Sequence, residues 1–185
     1  MPPPSPYERA PETPRSEEPG WARLVLTGAA RSWIIFAVVW GAILYVGVGG
    51  VNAALGHNNG TSVNQYNTLV TEFNGTGTAV QRAGRAAQTC TTIECIRPSH
   101  LAAANSLSSF AGDLDGMSFP SNASNSAQHT ASDAHRLANI FGDLAHSSDA
   151  SAYQSTAQHS NLDSLLTSYG QDAQNLLGQL KSDIP

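Results

Sequence analysis

The chain predicts an all-α protein: one N-terminal transmembrane helix, then an antiparallel, up-and-down four-helix bundle on the extracytoplasmic side. Three observations lead there. Residues 33–51 carry no charged side chain. Four later segments repeat apolar residues at alternating steps of three and four, which puts them on one helix face. Strict alternation, the mark of a half-buried strand, does not occur downstream of residue 56.

Residues 1–30 form the first element, a proline-rich cytoplasmic tail. Seven prolines fall within its first twenty residues, and a segment so rich in proline forms neither helix nor sheet. Trp21, Leu24, Val25 and Gly28 share one side of a helical projection, which suits a short helix at the membrane surface.

Residues 31–55 form the anchor. The uncharged run from Trp33 to Leu55 would reach roughly 34 Å as a helix, enough for a hydrocarbon core of about 30 Å. Arg23 and Arg31 precede the run, and the next basic residue is Arg82. The positive-inside rule therefore directs the N-terminus to the cytoplasm and the rest outward, with Trp33 as the interfacial aromatic. Ala37 and Gly41 stand four apart and offer a close-packing face for a second helix, a candidate homodimer contact. A rival reading remains: Val51 and Ala53 have the spacing read by signal peptidase, so the chain would be secreted after Ala53. The apolar run is longer than such signals usually are, which favours a retained anchor.

Residues 56–62 are expected to be a linker, and residues 63–185 the bundle. Its first stripe is Val63, Tyr66, Val70, Phe73, Gly77, Val80, Gly84 and Ala87. Ala103, Leu107, Phe110, Leu114 and Met117 form the second. The third is Ala123, Ala127, Thr130, Ala134, Leu137, Phe141 and Leu144. Leu162, Leu166, Tyr169, Ala173, Leu176 and Leu180 form the fourth. Pro98 and Ser99 are read as opening the second helix, and Ser148 or Asp149 as capping the fourth. Short links make consecutive helices antiparallel. The core is rich in Ala and Gly, so each residue contributes little burial and modest stability is expected.

Charge and cysteine use narrow the function. The net charge is −5, and all of it lies after the anchor, where five basic residues face ten acidic ones. An acidic domain repels phosphate backbones, so nucleic-acid binding is not expected. Arginine outnumbers lysine eight to one, a bias of GC-rich bacterial coding. Cys90 and Cys95 are the two cysteines; outside the membrane, such a pair is read as a disulfide stapling the turn between the first two helices.

Candidates for chemistry are present, but they do not form a catalytic set. His129 with Asp133, and Asp143 with His146, have the spacing of residues on one helix face. The di-iron bundle pattern would require Glu-x-x-His on two helices. The only glutamates after the anchor, Glu72 and Glu94, lack a histidine three residues on. Both His/Asp pairs are read as flanking the apolar stripe. His159 is read as continuing the fourth stripe one step before Leu162, as a half-buried polar residue and candidate ligand contact. Asn59, Asn74 and Asn122 each open an Asn-x-Ser/Thr triplet, read as chance in an Asn-rich chain. No serine-hydrolase elbow, phosphate-binding loop or dinucleotide fingerprint occurs. The expectation is a non-enzymatic, cofactor-free, membrane-anchored module that binds a protein partner, as an accessory subunit of a membrane or envelope complex. The alternative is a small-molecule or metal-binding sensor bundle using His159, or His129 with Asp133.

Overall fold

In a computed structural model that describes residues 60–183, the chain forms five α-helices, and no strand occurs among those residues. They are α1 (Gly60–Thr89), α2 (Ile93–Gly116), α3 (Ser121–Ala145), α4 (Ala150–His159) and α5 (Leu162–Ser182). The expected tail and anchor, with Arg23, Arg31, Trp33, Ala37 and Gly41, lie outside the described residues. Among the described residues no helix is long and apolar enough to cross a membrane.

The count corrects the expectation of four. The single fourth helix is two, because Asn161 takes a left-handed conformation (φ 49°) and turns the chain between α4 and α5. Asparagine tolerates that region better than other residues with a Cβ. The turn resets the helical phase, so residues before it do not share the stripe of α5. Two boundaries also move. Helix α1 starts at Gly60, inside the expected linker. Helix α2 starts at Ile93, not at Pro98: Thr92 is the N-cap, and its hydroxyl accepts from the Cys95 amide at 3.3 Å. Pro98 then lies inside the helix. Asp149 caps α4 as expected, accepting from the Ala152 amide at 2.9 Å.

Side-chain hydrogen bonds tie starts to ends. Gln65 on α1 donates to the Ser118 carbonyl beyond α2, at 3.1 Å. Arg97 near the start of α2 donates through Nε to the Ala145 carbonyl that ends α3, at 2.9 Å. Asn122 at the start of α3 donates to Asp183 after α5, at 3.1 Å. The long helices α1, α2, α3 and α5 therefore alternate in direction. Arg97 also places a cation where α3 leaves carbonyls without helical partners.

The largest interface joins α2 and α3, followed by α3 with α5 and α1 with α2; α1 touches α5 far less. Small side chains explain the order. Ala103, Ala104 and Ala111 on α2 and Ala123, Ala127, Ala131, Ala134 and Ala138 on α3 are buried, and alanine lets helix axes approach closely where larger side chains would hold them apart. Bulk is concentrated at one level. Phe73 of α1, Phe110 of α2 and Tyr169 of α5 meet with ring centroids 5.6 to 6.4 Å apart, a range in which tilted and edge contacts are favourable.

The third stripe is buried as expected, Ala123 to Leu144. The others are broader than their sequence period indicates. Leu69, Thr76 and Ala83 join the first, and Ile93, Ile96 and His100 extend the second. Thr130 is buried without penalty because its hydroxyl donates to the Ser126 carbonyl at 2.7 Å. Thr71, Thr78 and Thr89 do the same on the outer side of α1, each to the carbonyl four residues back. Such back-bonding satisfies the hydroxyls locally, at a small cost to the helix.

Candidate functional site

The end of the bundle that carries Cys90 and Cys95 brings together the covalent link, a buried histidine and a cavity. Helix α1 closes with the Cys90 amide donating to the Ala86 carbonyl at 2.8 Å. The two cysteines are joined, with Cα atoms 5.6 Å apart. The loop they close holds the turn in register with Thr92, whose cap starts α2 one residue later. The predicted staple is thus formed at the predicted turn.

His100 stands on α2 two turns beyond that cap, 1% exposed. Its ring packs edge-on to Phe141 of α3 at 5.5 Å and to Tyr153 of α4 at 5.7 Å. Nε2 lies 3.0 Å from the Tyr153 hydroxyl. That hydroxyl can donate or accept, so either neutral tautomer satisfies the pair. Nδ1 is buried and makes no well-formed hydrogen bond. Burial lowers the His100 pKa to about 4, with the Ile96 backbone acting in the opposite direction. The Tyr153 hydroxyl is pushed up to about 12 by the same apolar surroundings. At neutral pH both groups are uncharged, and an imidazole neighboured by rings gains nothing from ionising.

A cavity of about 220 Å³ lies beside this pair. Its inner wall is Ala87, Ile93 and Ile96, all buried, with Cys90 alongside. Helix α4 supplies the facing wall through Ala150 and Tyr153. Thr91, Thr92 and Gln154 form the rim. No charged side chain lines the space. Helix α4 has no buried residue of its own and touches α3 only slightly, so the cavity is roofed by the least embedded helix of the five.

The histidines singled out from the sequence are not here. His159 is exposed at the end of α4, its Nδ1 2.7 Å from the Ser155 carbonyl, and does not continue the α5 stripe. His129 is exposed. Asp133 does not flank the stripe but lies on it, 8% exposed; one carboxylate oxygen is 3.4 Å from Arg136 and the other is buried without a partner. His146 is exposed and bonded to the Gly142 carbonyl, while His135 pairs with Asp115 at 3.0 Å on the surface. Among the described residues no three His, Cys, Asp or Glu side chains converge on a metal position.

His100 and Tyr153 are not among the residues expected from sequence. A signal exists for His100: Ile93, Ile96, His100, Ala103 and Leu107 are spaced three, four, three and four apart. Tyr153 carries none, because α4 is too short to show a period. Compared with protein-family models, curated proteins and solved structures, the chain matches none.

Proposed function

We propose that the chain is a non-enzymatic helical module anchored by residues 31–55 and displayed on the outer side of the cytoplasmic membrane. There it binds a protein partner as an accessory subunit of a membrane or envelope complex. The observation that carries this reading is the Cys90–Cys95 link. Paired cysteines in a small bacterial-type chain belong to an oxidising compartment, and the arginines before the uncharged run direct the downstream bundle to that side.

The bundle's shape supports the same reading. The four long helices form an up-and-down bundle to which α4 is an addition. Helix α1 has 30 residues and so extends about 45 Å. It carries the disulfide end far from Gly60, where the anchor would join. The polar groups at that end serve structure: the disulfide staples a turn, and His100 is held neutral behind Tyr153. Ala37 and Gly41 would supply the contact of a homodimer within the bilayer.

Photo-cross-linking in intact cells tests this. A photoreactive residue at Ser109 on α2, Asp143 on α3 or Gln171 on α5, all exposed, should give adducts with another protein from one face and not the others. Free monomer from every position would overturn the partner reading.

A further inference from the structure

From the cavity at the disulfide end we infer a binding site for a small, uncharged, mainly apolar molecule, about the size of one aromatic ring with a short substituent. The inference stands apart from the anchor and partner reading, since it depends on residues 87–96 and 150–154 alone.

Three features define the occupant. The first is size. This half-open pocket of about 220 Å³ has room for one aromatic ring, since a sealed apolar cavity of roughly 150 Å³ accepts benzene, and it falls below the 300–1,000 Å³ of pockets for drug-sized ligands. The second is polarity. The inner wall is Ala87, Ile93, Ile96 and Tyr153, and the Tyr153 hydroxyl is already engaged by His100. A charged ligand would lose its water with nothing to replace it. A single hydroxyl or carbonyl on the ligand can be met only at the rim, by Thr91 or Gln154. The third is access. One wall is pinned by a covalent link and a capped helix start, whereas the other is α4, with no buried residue. A rigid wall opposite a loosely held helix allows entry without unpacking the core.

Isoleucine methyl groups provide the test. The full chain, labelled at isoleucine δ-methyls in detergent micelles, is titrated with toluene, whose ring current shifts methyls that it touches. Ile93 and Ile96 line the cavity, Ile140 on α3 does not, and Ile34, Ile35 and Ile43 in the apolar N-terminal run report toluene dissolving into the micelle. The site predicts saturable shifts at Ile93 and Ile96, a still Ile140, and loss of saturation in two filled variants, Ala87→Phe and Ala150→Leu. The second alters the more exposed wall and preserves the test should the first fail to fold, with the Ile140 signal reporting the fold. Shifts at Ile93 and Ile96 that merely grow in step with Ile34, Ile35 and Ile43 would overturn the site. So would saturable shifts that persist in both filled variants.

Discussion

The Tyr153 hydroxyl lies 3.0 Å from Nε2 of His100, fifty-three residues earlier in the chain. One partner is buried in the bundle and the other belongs to a helix with no buried residue, so the pair works as a latch. Tyr153→Phe keeps the ring contact and removes the hydroxyl, leaving Nε2 of His100 without its partner. A buried polar group deprived of its partner costs about 1–3 kcal/mol; because Tyr153 is half-buried, the lower end applies. Amide exchange should quicken in 150–159 and stay unchanged in the middle of α3. Equal protection of α4 in both proteins would show that the latch does not hold.

Acid should loosen the same end. Burial lowers the His100 pKa from 6.5 to about 4 in the folded chain. Between these values the unfolded chain binds a proton that the folded chain does not, so stability falls as the pH drops through that window. The full loss is about 3 kcal/mol once the pH is below 4. Glu72 works in the opposite sense: burial, then Asp113, raises its pKa, so its penalty fades as the pH falls. Comparing the native chain with His100→Gln at each pH removes that shared contribution. Denaturant midpoints of the two should converge toward pH 4. Parallel curves from pH 7 to 4 would rule the histidine out.

Opening the disulfide should cost about 2 kcal/mol on the chain-entropy model, given the short loop. The loss should appear as a lower thermal midpoint in Cys90→Ser/Cys95→Ser, with faster exchange around Thr92 and the first turn of α2. The result against it is an unchanged midpoint on full reduction.

Glycines on the helices offer gains. A Cβ at Gly112 of α2 or Gly142 of α3 would meet nothing within 4 Å, and neither has a positive φ. Alanine there should stabilise by about 0.5–1 kcal/mol each through lower unfolded-chain entropy and better helix propensity. Chemical denaturation of the single and double variants measures it, and additive upward shifts are expected. A destabilised Gly142→Ala would mean that α3 needs close approach at that point.

Periodicity makes the helical class legible, and most plainly in α3, where every residue of the Ala123-to-Leu144 stripe is buried. It works there because one face is apolar and the other is not. It falls short where residue type and position disagree. Thr76 is buried beside Phe73, bonded to Ser106 across α1 and α2 at 3.3 Å, and Asp133 sits between Thr130 and Leu137 on the inward face; both are polar, and polarity alone would turn them outward. The split of the last segment is not legible, since it depends on the left-handed backbone of Asn161. That turn removes His159 from the stripe and sets Tyr153 on a separate helix facing His100. The disulfide is legible because two cysteines allow only one intrachain pairing.

Whether this bundle is held outside the membrane, in an oxidising space, is decided by the thiol state of the full-length chain, trapped by alkylation of intact cells before fractionation. Full-length chain is expected in the membrane fraction, with Cys90 and Cys95 unlabelled until a reductant is added. Chain in the aqueous fraction with both cysteines alkylated from the start would contradict that placement.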